Sequence, residues 1–398
     1  MDIFDKYATI IGRHDKVLEA GTDPFAVRVD EMLSATEAMI GGRRTILLGT
    51  NNYLGLTFDP TAIDASVEAA RRDGTGTTGS RIANGNYAQH QELELELAAF
   101  LKRRSCMVFT TGYQANLAMI AGVAGPRDVI FMDSDSHASI YDGCTLSGAK
   151  VIRFRHNDPD DLDRRLARSP EGECKLIIVE GLYSILGDTA PLKAFAEVKK
   201  KHGAWLMVDE AHSLGVYGGE GRGVAEAQDC EADVDFVVGT FSKSLAAIGG
   251  FGAANHPRFD CLRFCSRPYM FTASPSPASI ASARASLRRM ANDPNLRAAI
   301  WNNAERLHAG LRQLGYTVAA APGPVAAIRL PDEATAVAAW NRLLQLGVYV
   351  NLAVPPGTPN GACLLRCSLS AAHAPAQIDE VLGRFERLSQ SLRELATA

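Results

Sequence analysis

Short apolar runs alternate with amphipathic segments through the middle of the chain. The runs predict strands at 106–110, 129–133, 150–154, 175–181, 204–210 and 235–240. Helical patterns lie between several of them, for example at 158–168 and at 191–203, where the pattern ends at Gly203 as a helix C-terminus commonly does. Apolar strands that alternate with helices favour a mostly parallel sheet with helices on both faces.

The pattern changes after about residue 275. Residues 276–292 are predicted to form a long helix that leads into a smaller α+β part. That part is predicted to contain strands near 325–330, 347–353 and 363–369 and a terminal helix at 374–392. We interpret residues 1–45 as an arm that packs on the same smaller lobe. The predicted division is an arm at 1–45, a large α/β domain at 46–285 and a small α+β domain at 286–398.

Composition excludes several classes of protein. A chain of 398 residues is too long for one small core, so a large and a smaller domain are expected. The net charge is -4 without a basic block, which gives a nucleic-acid partner no electrostatic support. The eight cysteines include no C-x-x-C pair, so we expect buried thiols in a reducing compartment and no metal site. The sequence shows no signal peptide and no run of 18 apolar residues, which predicts a cytoplasmic protein without a transmembrane segment.

Polar side chains follow the predicted strands at the point where each strand ends. Ligands of open parallel sheets bind just beyond the carboxyl ends of the strands. The residues found there are Gly112 and Tyr113 after the first run, His137 after the second, Ser184 after the fourth, Asp209 at the end of the fifth with His212 after it, and Ser242 and Lys243 after the last. An acid, two histidines, hydroxyls and a lysine therefore converge on one edge of the sheet.

Lys243 is the residue from which we infer the chemistry. At its free pKa of about 10.4 a lysine is protonated and not nucleophilic, but in a partly desolvated cleft it can form a Schiff base with a carbonyl compound. A carboxylate beside it would hold it charged, so Asp209 makes more sense as the partner of another cation. The pyridinium nitrogen of pyridoxal 5'-phosphate (PLP) is such a cation.

The remaining residues can be given roles around the same cofactor. His137 could stack on the ring, and His212 could hydrogen-bond the phenolic oxygen. The phosphate could be held by Gly112 and Tyr113 at a helix N-terminus, together with Thr240 and Ser242. Taken singly, each residue has an ordinary structural explanation: a helix cap for Asp209, structural histidines, a surface lysine, and a turn at Gly112. The ordered pair D-E-A-H after one strand and S-K after the next favours the catalytic interpretation.

The glycine-rich stretch G-T-G-T-T-G-S-R at 74–81 contains G-x-G-x-x-G. No apolar strand precedes it, so the context of a dinucleotide site is missing and a nicotinamide-dependent dehydrogenase is disfavoured. We interpret the stretch as a tight loop near a ligand or an interface.

Seven motifs together resemble the α-oxoamine synthases, PLP enzymes that condense an amino acid with an acyl-CoA. They are N-N-Y-L-G-L (51–56), G-T-G-T-T-G-S-R (74–81), T-G-Y-Q-A-N (111–116), D-S-x-S-H-A-S (133–139), E-G-L-Y-S (180–184), D-E-A-H-S-L-G (209–215) and G-T-F-S-K (239–243). The resemblance covers nearly the whole chain. It implies the fold-type I, aspartate-aminotransferase-like α/β fold, with a large, mostly parallel seven-stranded sheet domain and a smaller C-terminal α+β domain.

Within that family, R-P-Y-M-F-T-A-S (267–274) and P-P-G-T-P followed by L-L-R-C-S (355–368) are most similar to soluble bacterial members that use L-serine. The implied reaction joins L-serine to a long-chain acyl-CoA such as palmitoyl-CoA, gives 3-oxosphinganine, CO2 and CoA, and begins sphingolipid synthesis. Members that use alanine in biotin synthesis, or glycine, share the catalytic set and remain alternatives. A catalytically silent partner subunit would lack the lysine at position 243. A lipid product is compatible with peripheral contact at the inner membrane face.

The resemblance also implies a role for each site residue. Lys243 holds PLP and later takes the Cα proton, and His137 also touches the substrate carboxylate. Arg366, helped by Asn52, binds the carboxylate of the amino acid. Thr272 reaches the phosphate in the neighbouring subunit, which makes the enzyme a homodimer with a shared site. The sequence departs from the family pattern at Ala246 and Ala247, which follow the lysine where a glycine is common.

Overall fold

The computed structural model describes residues 2–169 and 174–397. Its strands, in chain order, are β1 (Glu31–Met32), β2 (Glu37–Ile40), β3 (Arg43–Leu47), β4 (Ser105–Phe109), β5 (Val129–Asp133), β6 (Lys150–Phe154), β7 (Lys175–Glu180), β8 (Trp205–Asp209), β9 (Phe236–Thr240), β10 (Gly250–Ala254), β11 (Val325–Leu330), β12 (Val348–Tyr349), β13 (Asn351–Ala353) and β14 (Cys363–Ser368).

The α-helices fill most of the chain between these strands. They are α1 (Ala8–Glu19), α2 (Pro60–Asp73), α3 (Ala88–Phe100), α4 (Gly112–Val123), α5 (Ala138–Ser147), α6 (Pro159–Leu166), α7 (Leu192–His202), α8 (Val224–Ala227), α9 (Arg267–Met270), α10 (Pro277–Asn292), α11 (Pro294–Gln313), α12 (Glu333–Gln345) and α13 (Pro375–Thr397). Gly203, whose φ of 61° is left-handed, caps the C-terminus of helix α7, as the sequence pattern predicted.

The chain divides into two compact units. The larger consists of Asn51–Ser184 and Asp188–Ile300, and the smaller of Met1–Thr50, Ile185–Gly187 and Trp301–Ala398. The boundaries at residues 45 and 285, inferred from the sequence pattern, remain predictions.

A seven-stranded sheet forms the centre of the larger unit, with strand order β4-β10-β9-β8-β7-β5-β6. Strands β6, β5, β7, β8 and β9 pair in parallel, and β10 pairs antiparallel with both β9 and β4. The prediction of a large, mostly parallel seven-stranded sheet is therefore confirmed.

Successive residues of the central strands pack on opposite faces of this sheet. In β5, Val129 and Phe131 belong to one buried core cluster, while Ile130 and Met132 belong to another. Because both faces are covered, each central strand is apolar at nearly every position, which made these strands visible in the sequence.

The smaller unit contains two further sheets, of order β1-β2-β3-β12 and β11-β14-β13. The single strand predicted at 347–353 is in fact two strands, because β12 pairs in parallel with β3 while β13 pairs antiparallel with β14. Arg366 lies on β14, opposite Ala327 and Asn351. Among the described residues, no helix is both long and apolar enough to cross a membrane.

Candidate active site

A cavity of about 320 Å³ lies in the larger unit at the carboxyl ends of β4, β5, β7, β8 and β9. Its lining includes eight of the residues predicted from the sequence: Gly112, Tyr113, His137, Asp209, His212, Thr240, Ser242 and Lys243. The remaining residues of the lining are Thr111, Asn116, Ser139, Glu180, Ala211, Gly239, Ile248 and Gly249. These side chains lie close together because they follow the carboxyl ends of neighbouring strands of one sheet.

The start of helix α4 forms one wall of the cavity. Thr111 caps the helix by accepting a hydrogen bond from the Gln114 amide at 3.1 Å. A Cβ atom on Gly112 would meet the Thr240 Cβ at 2.6 Å and its Oγ1 at 2.8 Å, so only glycine lets the helix approach β9 this closely. The Thr240 and Ser242 hydroxyls lie 2.9 Å apart. Free amides of a helix start beside two hydroxyls fit a phosphate group.

Asp209 ends β8 and is buried. Its Oδ2 accepts a hydrogen bond from Asn116 Nδ2 at 2.7 Å, and its Oδ1 accepts one from the Ala211 amide at 2.9 Å. Asn116 was not predicted to be a site residue, because an asparagine inside a helical pattern gives no signal of its own. The buried carboxylate fits a cationic ring nitrogen.

His137 caps helix α5, with its Nδ1 accepting from the Ser139 amide at 3.2 Å. The Tyr113 ring meets it edge-on, with the centroids 6.3 Å apart. Burial lowers the pKa of His137, the Asp209 carboxylate opposes that shift, and Lys243 adds to it. The ring therefore titrates as a buried imidazole between a carboxylate and an ammonium group.

His212 is buried beside a tyrosine that the sequence analysis did not select. Its Nδ1 lies 2.7 Å from the Tyr53 hydroxyl, and the two ring centroids are 6.0 Å apart. This contact fixes the imidazole plane at the cavity wall.

Lys243 lies in a compact turn between β9 and β10. The Phe241 amide donates to the Gly249 carbonyl at 2.9 Å, and the Ala247 amide donates to the Phe241 carbonyl at 3.0 Å. Ala246 has a φ of 49°, a left-handed conformation that costs about 1–2 kcal/mol for a residue with a Cβ. A glycine would adopt this conformation without that cost, and the segment is a turn and not a helix.

Glu180 ends β7 and is a site residue that sequence analysis missed. It is 3% exposed, and its Oε1 accepts from the His137 amide at 2.5 Å. Burial raises the pKa of Glu180 well above its usual range, and the nearby Asp209 raises it further. A carboxyl group at the end of an apolar strand, like Asp209 on β8, was the signal that could have identified it.

Four predicted residues lie outside the lining of this cavity. Asn52 is buried, and its Nδ2 donates to the Thr57 hydroxyl at 2.8 Å. Ser184 ends a segment of the larger unit, and Arg366 belongs to the smaller unit. Thr272 is half-buried in the loop after α9. The roles of these four residues remain predictions.

The glycine-rich stretch at 74–81 follows helix α2, not a strand. Thr78 has a φ of 59°, and the Ser274 amide donates to the Gly79 carbonyl at 2.9 Å. Arg81 is buried and forms an ion pair with Glu94 at 2.9 Å. The stretch is a tight loop joined to the segment that bears Thr272, which agrees with the rejection of a dinucleotide site.

Taken together, the cavity offers a lysine, a buried carboxylate, two imidazoles and an anion cradle. These groups fit a phosphorylated pyridine aldehyde. The chain belongs to the aminotransferase class I and II family, which matches residues 43–385.

Similar proteins indicate which members of this family the chain most resembles. The chain is 54% identical to the serine palmitoyltransferase of Caulobacter vibrioides, over 98% of this chain and 97% of the relative. It is 48% identical to that of Sphingomonas paucimobilis, over 98% and 94%. A solved structure described as SPT with PLP internal aldimine has a TM-score of 0.96 and 48% identity, and covers 98% of this chain and 99% of its own. The family resemblance is confirmed, and the PLP of that structure is the cofactor that the sequence predicts.

Proposed function

We propose that the protein is a PLP-dependent serine C-palmitoyltransferase. It condenses L-serine with a long-chain acyl-CoA, palmitoyl-CoA in the simplest case, and gives 3-oxosphinganine, CO2 and CoA. The observation that carries this proposal is the convergence of Lys243, Asp209, His137 and His212 on one cavity. Chains named serine palmitoyltransferase that match along nearly their full length support it.

Bound PLP supplies an electron sink for the charge that develops at Cα when CO2 or a proton leaves. Asp209 holds the proton of the ring nitrogen, because its buried carboxylate is kept in place by Asn116 and the Ala211 amide. Lys243 holds the cofactor and later takes the Cα proton. His212, fixed by Tyr53, bonds the phenolic oxygen.

The phosphate is held by the start of α4 and by the Thr240 and Ser242 hydroxyls. Gly112 makes this possible, because a side chain there would occupy the space beside the Thr240 hydroxyl. Amides that point along a helix axis favour a dianion without placing a full positive charge near Lys243.

Arg366 and Asn52 bind the carboxylate of the amino acid. Arg366 is 7% exposed, and its Nη1 donates to the Ser368 hydroxyl at 2.7 Å. A guanidinium held in a fixed orientation is suited to a paired contact with a carboxylate.

The protein acts as a homodimer in the cytoplasm. Thr272 completes the phosphate site of the partner subunit, and Ser184 contributes to the cofactor site of its own chain. The acyl donor and the lipid product are compatible with peripheral contact at the inner membrane face.

The amino-acid substrate is the part of the proposal that most needs a test. L-serine, L-alanine and glycine would each be added to the purified PLP-bound protein while the cofactor absorbance is followed. Palmitoyl-CoA would then be supplied and the released CoA measured with a thiol reagent. Serine should give both the spectral change and rapid CoA release. Release of CoA with alanine or glycine, but not with serine, would assign the chain to another α-oxoamine synthase activity.

A further inference from the structure

A chain of hydrogen bonds connects the carboxylate of Asp209 to the imidazole of His137. Asn116, on α4, is 3% exposed and donates from Nδ2 to Asp209 Oδ2 at 2.7 Å and to Ser139 Oγ at 2.9 Å. The Ser139 Oγ lies 2.8 Å from His137 Nδ1. The two intermediate side chains, Asn116 and Ser139, thus join two groups of the cavity wall.

The direction of each bond follows from the chemistry of its atoms. An ionised carboxylate only accepts hydrogen bonds, so the amide of Asn116 must present its NH2 group to Asp209. The second hydrogen of the same NH2 group goes to the Ser139 oxygen. Ser139 therefore accepts from Asn116, and its own hydroxyl hydrogen is directed to His137 Nδ1.

A second hydrogen bond also requires His137 Nδ1 to be an acceptor. The backbone amide of Ser139 also donates to Nδ1, at 3.2 Å, and a backbone N–H cannot reverse its role. Nδ1 is therefore an acceptor, and a neutral ring carries its hydrogen on Nε2. Within residues 2–169 and 174–397, Nε2 has no hydrogen-bond partner, and the ring itself lines the cavity.

The geometry points to Asn116 and Ser139 as positioning residues that hold His137 neutral, with its hydrogen on Nε2. The ring then presents one N–H donor of fixed direction to whatever occupies the cavity. The inference rests on the proposed function only for the identity of the group that accepts this hydrogen bond.

The charged groups around His137 could work against a neutral ring, so each must be considered. Asp209 favours the imidazolium form, while burial and Lys243 disfavour it, and together they leave the pKa of His137 lowered. Glu180 does little to stabilise an imidazolium form of His137, because burial raises the pKa of Glu180 and favours its uncharged form. Tyr113, a further titratable neighbour, meets the ring edge-on. Protonation at Nδ1 would also break the cap on the Ser139 amide.

NMR of the PLP-bound protein labelled with 15N-histidine tests this directly. The chain has nine histidines, and the signals of His137 are identified by their loss in His137→Asn. Long-range 1H–15N correlations distinguish an Nε2–H ring from an Nδ1–H ring and from the cation. We expect the neutral Nε2–H form at pH 7. A cation or an Nδ1–H ring in the wild-type protein would overturn the inference, whether or not any variant folds.

Variants then test whether Ser139 causes this state. Ser139→Ala removes the hydroxyl and should raise the pKa of His137, whereas Ser139→Thr retains a hydroxyl and should restore the wild-type value. Ser147→Ala is the matched control, since Ser147 is a buried serine on the same helix whose hydroxyl bonds the Cys144 carbonyl. Equal His137 titration in Ser139→Ala and Ser147→Ala would refute the role of Ser139.

Kinetics give a separate readout. Loss of the fixed donor should lower kcat/KM for L-serine about 10- to 100-fold in Ser139→Ala, mainly through KM, with PLP affinity nearly unchanged. If the protein proves to use another amino acid, the proposed function fails but the NMR result stands. If serine is the substrate and the ring is a cation, the function stands and this inference fails.

Discussion

The Tyr53 hydroxyl lies 2.7 Å from His212 Nδ1, and both side chains are buried. Tyr53 precedes α2 and His212 follows β8, so a contact distant in sequence sets the orientation of a ring that lines the cavity. A histidine that must present one particular nitrogen to a cofactor needs its other nitrogen held.

Tyr53→Phe should therefore lower kcat/KM for L-serine about tenfold, because a buried hydrogen bond contributes roughly 0.5–1.5 kcal/mol and its loss lets the ring turn. The pH dependence of the cofactor absorbance should shift as well. Tyr316→Phe is the control, since it loses a 2.8 Å hydrogen bond to the Phe385 carbonyl in the smaller unit. Equal kcat/KM values for Tyr53→Phe and Tyr316→Phe would show that Tyr53 contributes only to packing.

Gly112→Ala tests the anion cradle. The new Cβ would meet Thr240 at 2.6–2.8 Å, so α4 or β9 must move and the phosphate donors separate. We expect the Kd for PLP to rise at least tenfold, measured by fluorescence titration of the apoprotein. Gly383→Ala is the control, because a Cβ on this helical glycine meets no atom within 4 Å. Unchanged PLP affinity in Gly112→Ala would place the phosphate elsewhere.

Strands that are apolar on both faces were the parts of the fold most visible in the sequence. Strand β5, buried at all five positions, was predicted with its observed bounds. The bounds of the edge strand β6 were also predicted, although only Phe154 of that strand is buried. Strand β10, Gly250–Ala254, was not predicted, because glycine and alanine occupy four of its five positions and Phe251 is its single large residue. Close packing requires a small residue at position 252, because a Cβ on Gly252 would collide with the Met119 side chain of α4.

Residues of the candidate site also differ in whether the sequence reveals them. Asp209 and Lys243 were identified because charged residues at the ends of apolar strands are conspicuous. Asn116, Ser139 and Tyr53 were not, because amides and hydroxyls on helices and loops occur everywhere, and only tertiary structure shows that they touch the charged groups.

The contacts of His156 lead us to expect a pH dependence of the free energy of unfolding. Its Nδ1 lies 2.9 Å from Asp133 and its Nε2 2.7 Å from Asp188. Burial alone would lower the pKa of His156, but the two carboxylates raise it to about 10. Since this value exceeds the unfolded value of about 6.5, the stabilisation is complete below pH 6.5 and is lost as the pH rises towards 10.

His156→Gln should lower the free energy of unfolding by on the order of 2–4 kcal/mol at pH 6, with the difference from wild type shrinking steadily up to pH 10. Urea unfolding at intervals of one pH unit measures it. His14→Gln is the control, because His14 is more exposed and contacts one carboxylate, Asp23. A difference that stays constant with pH would mean that His156 is neutral in the folded protein.

Arg366→Ala should weaken L-serine binding by on the order of 2–5 kcal/mol, because a desolvated carboxylate is left without its partner. The KM for palmitoyl-CoA should change little. Arg329→Ala, an exposed arginine on the neighbouring strand β11, is the control and should leave both values unchanged. Loss of acyl-CoA affinity with serine binding intact would assign Arg366 to the other substrate.

Thr272 is the residue that the family resemblance assigns to a site shared between subunits. Its neighbours are tied to the glycine-rich loop, through a bridge between Ala273 and Ser80 and a hydrogen bond from the Ser274 amide to Gly79, so Thr272 is held in an ordered position. Helix α10 is capped by Ser276, so Thr272 is not needed as its cap. Thr272 is absent from the cavity lining of its own chain, and its contact with the partner's phosphate in the proposed homodimer is what the family resemblance implies.

A mixture of Lys243→Ala and Thr272→Ala chains, each expected to be inactive alone, distinguishes a Thr272 that acts across the interface from one that acts within its own chain. A Lys243→Ala chain retains Thr272, and a Thr272→Ala chain retains Lys243. If Thr272 acts across the interface, each heterodimer contains one complete site, and subunit exchange should restore activity to an extent that follows the heterodimer fraction. Differently tagged Lys243→Ala chains, exchanged with each other, provide the control and should stay inactive. If heterodimers form, as shown by tandem-tag purification, but regain no activity, Thr272 acts within its own chain, since neither site of such a heterodimer would then be complete.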